Sequence, residues 1–356
     1  MSRRQAERIA WIVGSAGVVG AAIGWFVAPA AFPYAWLAAL TAWLGWPIGC
    51  MGLLLIHALT GGDWGYATRP QLVAGMLTLL LLLPPALVPL IIVSPALYSW
   101  LRPEVTAHLD NGFYLNSPFF VARSVVYLIV WFGLSLLILR ALRTEGTDPR
   151  LARIAPAGLM LLAITVTFAA IDTTMSLDPH FVSSAYGLIE IADMGLLALS
   201  VSIFAAVIGV PPDAGTLRSL GRLLLALLIL WAYLDFMQLL IVWQSDLPNE
   251  APWYISRSTG GWGFAAALVA GGHFALPFLA LLSPQVQSSR RGIGCVTALL
   301  ILSEIVRNWW LVVPASGKGF GIVDVVAMLG VIGIAAALAL RAPLMPWVPE
   351  QVRRHV

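Results

Sequence analysis

The chain has 356 residues, of which 60% are apolar and only 10% charged, against roughly 25% charged in an ordinary soluble domain. With a mean hydropathy of +0.89, this excludes a disordered protein, a secreted disulfide scaffold and a soluble enzyme built on one buried core. The net charge is only +3, but Lys318 is the single lysine beside nineteen arginines, so their placement carries more information than their sum.

At about 20 apolar residues per bilayer crossing, the apolar runs resolve into ten segments, beginning near residues 9, 34, 70, 118, 154, 184, 222, 263, 292 and 322. The expected fold is an all-α integral membrane protein of about ten transmembrane helices, one polytopic domain over 1–356, with 1–8 as a cytoplasmic N-terminus and 341–356 as a cytoplasmic tail. Arg3, Arg4 and Arg8 ahead of an apolar run, with Ala28-Pro29-Ala30 beyond it, have some look of a signal peptide. The run is long for one and the proline is badly placed for cleavage, so it is read as the first span. Pro118, Pro149 and Pro211-Pro212 mark borders, where a missing N–H costs nothing. Pro84, Pro85 and Pro89 fall inside the third segment and predict a kink packed against protein.

The positive-inside rule sets orientation. With the N-terminus in the cytoplasm, that side collects Arg3, Arg4, Arg8, Arg69, Arg140, Arg143, Arg150, Arg153, Arg218, Arg222, Arg290, Arg291, Arg341, Arg353 and Arg354. The other side holds only Arg102, Arg257 and Lys318, while Arg123 and Arg307 fall inside spans. Fifteen against three favours N-in, C-in.

Ionisable groups in lipid cost at least about 2.5–3.5 kcal/mol each and default to functional candidates. Asp172 lies near the outer end of the fifth span. Glu190 and Asp193 share a face of the sixth, Asp235 accompanies Gln238 on the seventh, Glu304 and Arg307 stand i, i+3 on the ninth, and Asp324 opens the tenth. Converted to depth at about 1.5 Å per residue, Asp172, Arg123, Arg307 and Asp324 come near the outer interface, with Glu190, Asp193, Asp235 and Glu304 progressively deeper. Such a gradient fits a half-channel for protons. Its plainer reading makes Glu304–Arg307 an intrahelical ion pair and Asp172 a helix-end carboxylate.

Of the histidines, His57, His180 and His273 share no depth, which disfavours a bis-histidine haem, and His273 reads as a core histidine bonded to a neighbour. Asp178-Pro179-His180 offers too few ligands for a metal, so no metal site is expected. Cys50 and Cys295 cannot ligate an iron–sulfur cluster alone, and no CxxCH for covalent haem exists. Trp100, Trp253 and Trp262 sit near predicted borders, as interfacial rings do. Trp231, Tyr233, Phe236 and Trp243 on the seventh span read as helix packing.

Four stretches in fixed order carry a resemblance. They are Leu54 to Gly65, containing His57 and Gly61-Gly62-Asp63-Trp64; Thr165 to Asp172 running into Met175-Ser176-Leu177-Asp178-Pro179-His180; Leu230 to Tyr254, through Gln238, Trp243 and Leu247-Pro248-Asn249-Glu250; and Gly260-Gly261-Trp262-Gly263 with His273-Phe274-Ala275-Leu276-Pro277. Together they resemble, over nearly the whole chain, the ActF-type membrane subunit of alternative complex III, the quinol:cytochrome c oxidoreductase quinone-binding subunit 2, within the NrfD/polysulfide-reductase membrane superfamily.

The resemblance implies ten helices arranged as two four-helix bundles plus two extra, in a bacterial inner membrane, in a subunit of the respiratory electron-transport chain. It implies no catalysis and no redox cofactor in this chain alone; quinone is the one candidate ligand, although the resemblance attributes the quinol site rather to the paralogous subunit next to the iron–sulfur protein. Haem c and iron–sulfur clusters would belong to partner subunits. The partners implied are a paralogous NrfD-like subunit, multihaem cytochrome c and iron–sulfur subunits, in some assemblies a terminal oxidase, and the lipid bilayer, without nucleic acid. The implied role is proton translocation, for which the candidates are Asp172, Glu190, Asp193, Asp235, His273, Glu304 and Arg307. His57, Asp178, His180, Gln238 and Trp243 are motif positions. The sequence departs from the family pattern at Ala58 (a second histidine expected), Thr173 (a tryptophan), Asp235 (a small residue) and Asn308 (an acid). An acid lost at 308 and one gained at 235 fit either a rerouted proton path or a homologue that no longer conducts. Two readings of other classes stay open: a proton-coupled secondary transporter using Asp193 and Asp235, hinted at by Gly271-Gly272, and a structural subunit whose loops 98–117 and 244–262 dock a partner.

Overall fold

The computed structural model describes residues 2–106, 109, 111–142 and 149–341; Arg143, Arg353, Arg354 and most of the expected tail lie outside them. Ten helices are long and apolar enough to cross a membrane, and no strand occurs among the described residues. They are α1 (Arg3–Val27), α2 (Phe32–Thr60), α3 (Asp63–Leu97), α4 (Ser117–Ala141), α5 (Pro149–Thr173), α6 (Tyr186–Ile208), α7 (Ala214–Ser245), α8 (Gly261–Leu281), α9 (Arg290–Val312) and α10 (Ile322–Arg341). The protein is an all-α multi-pass membrane protein. Several helices start before the apolar run does, because hydrophobicity locates the lipid-crossing part and the caps locate the ends. Residues 3–8, expected as a terminal segment, form the first turns of α1, opened by a capping box of Ser2 and Gln5.

Polar caps fix the other starts. Asn116 Oδ1 accepts from Phe119 N at 3.0 Å to open α4, and Ser289 Oγ accepts from Gly292 N at 3.2 Å to open α9. Asp213 accepts from Gly215 N and Thr216 N to open α7, each satisfying amides that a first turn leaves free. These bonds, led by that from the Thr216 hydroxyl, hold the Asp213 carboxyl below its ordinary range. The α2–α3 turn uses Gly61 and Gly62 at φ +67° and +97°, where a side chain would be strained.

The two most enclosed helices are α2 and α6. α2 packs on α3, α5, α6, α9 and α10, while α6 also touches α5, α7 and α9. Helices α2–α5 contact one another, α6–α9 do likewise, and α1 lies along α10. That last pair meets through glycine: a methyl on Gly17 would overlap the Gly330 backbone, the small-residue approach that packs helices in lipid. The ends of α1 and α10 also meet, Arg3 Nη2 donating to Leu340 O at 2.6 Å and Arg341 standing 3.3 Å from Glu7.

Of the three prolines expected to pack a kink against protein, Pro84 and Pro85 are exposed and only Pro89 is partly buried. The helix α3 runs unbroken through five prolines. The exposed rings leave freed carbonyls behind them, and at Pro95 a local donor takes one. Ser94 Oγ donates at 2.9 Å to Ile91 O, the group that Pro95 leaves without an amide.

Candidate functional site

Two buried charge clusters form, rather than one graded path. In the first, Arg123 of α4 grips Asp172 of α5. Arg123 Nε donates to Oδ2 at 2.9 Å and Nη2 to Oδ1 at 2.8 Å, Tyr127 Oη donates to Oδ2 at 2.7 Å, and Arg123 Nη1 reaches Tyr114 O at 3.0 Å. Both carboxylate oxygens are occupied, so the geometry is that of an interhelix clamp.

The second cluster joins three helices. α6 presents Glu190 and Asp193 from successive turns of one face, and α9 presents Glu304, Arg307 and Asn308. Arg307 Nη2 donates to Glu190 Oε1 at 2.6 Å and Nη1 to Asp193 Oδ2 at 3.0 Å. Glu304 Oε1 of its own helix stands farther, 3.7 Å from Nη1. The Glu304–Arg307 pair expected along α9 is therefore secondary, because the long guanidinium reaches better-placed acceptors across the interface. Asn308, where the family resemblance implies an acid, donates to Glu304 Oε1 and to Glu304 O.

His273 completes the cluster from α8. Residues Val269–Ala275 form a π-helical stretch inside that span. Its local cause is readable: Gly271-Gly272 weaken the α conformation, and Pro277 has no amide for the His273 carbonyl. Wide turns of this kind recur at functional sites. Here it sets His273 Nδ1 3.0 Å from Ser303 Oγ, with Nε2 3.3 Å from Asp193 Oδ1 and 3.8 Å from Glu304 Oε2. Trp231 of α7 covers the ring edge-on, centroids 4.5 Å apart. All five ionisable groups are buried. Three carboxylates face one guanidinium, an imbalance that buried sites of this kind settle by taking up protons or a cation.

Two clefts lie next to residues of the cluster or its cover. One, of about 370 Å³, runs between α2, α3, α4 and α5 and has Tyr127 and Glu190 in its wall. The other, of about 1110 Å³, is bounded by α7, α8 and the short helix Ala251–Ser258, with Trp231, Asp235 and Arg257 in its wall. Asp235 thus lies beside the cluster, not within its hydrogen bonds.

The remaining sequence candidates lie elsewhere. His57 is buried at the end of α2, its Nε2 2.9 Å from Gly62 O and its ring edge-on to Trp64 and Tyr66. His180 is exposed in the α5–α6 loop, its amide donating to Asp178 Oδ1 at 3.2 Å. Gln238 is buried and accepts from Ser183 Oγ. Asp324 caps the tenth span, Oδ2 accepting from Gly321 N at 2.8 Å. Of the four aromatic residues named on α7, Trp231 packs inward, whereas Tyr233, Phe236 and Trp243 are exposed, the last at 74%.

The border tryptophans also divide. Trp100 and Trp253 are buried, against the expectation of interfacial rings. Trp100 Nε1 donates to Ser176 O at 3.1 Å, and Trp253 stacks on Phe181 at 4.7 Å beneath the Arg257 guanidinium. Arg257 in turn donates to Leu311 O at 2.7 Å, at the carbonyl end of α9, where the helix dipole favours a cation. Burial nevertheless pulls it down to about 10. What sequence reasoning did not find is the convergence of Asp193, His273 and Glu304, three potential ligand atoms within 4.8 Å of one another. They come from three helices, and the only local signals are the Gly-Gly pair and Pro277.

No family model matches the chain, and no curated protein matches it.

Proposed function

We propose that this chain is a proton-handling membrane subunit of a quinol-oxidising respiratory assembly of the alternative complex III type, in a bacterial inner membrane. One observation carries the proton-handling part: Glu190, Asp193, His273, Glu304 and Arg307 are buried together among the spans, with Glu190 in the wall of one cleft and Trp231, which covers His273, in the wall of another. A group set of this composition takes up and releases protons at little structural cost, since each added proton relieves carboxylate repulsion. The assembly part rests on the four sequence stretches named above. Electrons would travel through haem c and iron–sulfur clusters of partners, and a quinone would meet this chain at the cleft beside Asp235.

Replacing Asp193 by Asn removes one proton site and keeps the shape. In the purified assembly this variant lowers proton release per electron, with subunit composition unchanged; an unchanged stoichiometry refutes the role. The assembly itself is tested by purifying the tagged chain in mild detergent. Multihaem cytochrome and iron–sulfur partners in fixed ratio support the reading, and a colourless solitary protein refutes it. The π-helical break in α8 favours one second reading, a proton-coupled transporter with its site at an interrupted helix, and the solitary outcome would point there.

A further inference from the structure

We propose that Asp193 Oδ1, His273 Nε2 and Glu304 Oε2 form a binding site for one divalent cation of the zinc class. These three atoms are buried and each lacks a hydrogen-bond partner, although every other polar atom of the three side chains that faces the protein is engaged. Asp193 Oδ2 is held by Arg307 and Glu304 Oε1 by Asn308. His273 Nδ1 is held by Ser303 Oγ. Ser303 Oγ also lies 3.0 Å from Leu300 O; with its hydrogen on that carbonyl it accepts from His273 Nδ1, the tautomer that leaves Nε2 free as a ligand. The Nε2 lone pair of the neutral imidazole then points at two carboxylate oxygens. Acceptor atoms this close together in a buried interior repel one another, and a positive occupant, a proton or a metal ion, relieves that repulsion.

The distances suit a metal ion. Ligand atoms about 2.1 Å from a tetrahedral zinc lie about 3.4 Å apart; the two pairs measured to His273 Nε2 are 3.3 and 3.8 Å, and all three atoms fall within 4.8 Å. One imidazole and two carboxylates make a mixed nitrogen–oxygen set, which suits zinc, cobalt or manganese better than magnesium or calcium. Charge agrees as well: Glu190, Asp193 and Glu304 against Arg307 leave two negative charges, which a divalent cation cancels. The three supporting bonds have the form that orients metal ligands elsewhere, each fixing one ligand through its second polar atom. Metal and protons are alternative occupants of the same lone pairs, so Zn²⁺ uptake displaces protons.

The test uses the full-length chain alone in detergent, stripped with a chelator and titrated with Zn²⁺, then with Co²⁺ for its visible spectrum. The expected result is one ion per chain, with a four-coordinate Co²⁺ spectrum free of sulfur bands. His273→Gln and Glu304→Gln each weaken binding by about 100-fold or more, and Ser303→Ala by about 10–100-fold. His180→Ala leaves it unchanged. No saturable binding by the folded wild-type chain overturns the proposal, as does binding that survives both ligand variants or falls with His180→Ala. Should the ligand variants aggregate, Ser303→Ala and the wild-type Co²⁺ spectrum decide. No partner or electron flow enters this measurement, so its failure leaves the proton reading standing, and the failure of that reading leaves this one intact.

Discussion

Arg123 and Arg307, the two arginines that fall inside spans, have opposite local situations. Arg123 has one carboxylate and matches it bidentately, with Tyr127 also donating to Oδ2 and the Tyr114 ring 3.7 Å beneath the guanidinium. Arg307 is shared among three carboxylates and cannot neutralise them. The first arrangement is static and the second is poised to change its occupancy. Removing half of a closed buried pair leaves a bare charge in the interior, which costs about 3–5 kcal/mol. Arg123→Leu therefore lowers the thermal midpoint in detergent sharply, while the double replacement Arg123→Met, Asp172→Leu recovers most of the loss. Equal losses in the two variants would mean that the clamp contributes through shape and not through charge. That Arg123 and Asp172 lie close to one end of their spans was legible from depth arithmetic. That they bond each other was not, since 49 residues separate them and no periodicity within either helix refers to the other.

At the scale of the element, α8 shows how a local irregularity serves the site. A π turn holds one more residue than an α turn, so it acts as a one-residue insertion accommodated locally. Deleting Gly271 returns the segment to α spacing. The flanking faces Gly261–Leu268 and Leu276–Leu281 keep their register, and His273 swings away by up to about 100°, one residue's rotation. The deletion variant is expected to elute as a folded monodisperse protein and to lose stoichiometric Zn²⁺ binding. Retained binding would show that His273 is not a ligand. Sequence reasoning saw the glycine pair as a sign of a broken helix, but glycine in a membrane span serves equally for close packing, as Gly17 and Gly330 show. Only the Ser303 and Trp231 partners of the ring tell the two uses apart.

For the whole molecule, the arginine bias sets an orientation that contacts between helices leave open. An impermeant maleimide tests it after Cys295, which is exposed, is replaced by Ser; Cys50 is buried and unreactive. A cysteine at Asn249, exposed in the α7–α8 connection, is labelled in intact cells. One at Ala214, exposed at the start of α7, is labelled only after permeabilisation. The reverse pattern would overturn the N-in reading and move the α7–α8 connection to the cytoplasm. The same connection lies in loop 244–262, which one of the open readings makes a docking surface, and Trp253 is its largest buried side chain. Since that ring is buried against Phe181 and Arg257, its loss would unsettle the loop itself, and exposed positions such as Asn249 are the better probes of docking.

The sequence by itself determined the all-helical class, the ten crossings and the roster of ionisable residues in lipid, because hydrophobic run length and the price of a charge are properties of each segment alone. Tertiary structure decided which of those residues meet. Arg307 reaches carboxylates 114 and 117 positions away, and His273 finds Ser303 thirty positions on. Helical periodicity relates only residues within a turn or two of each other. Which face of α6 turns towards α9, and how a π turn rotates His273 between them, depends on the packing of all three helices together.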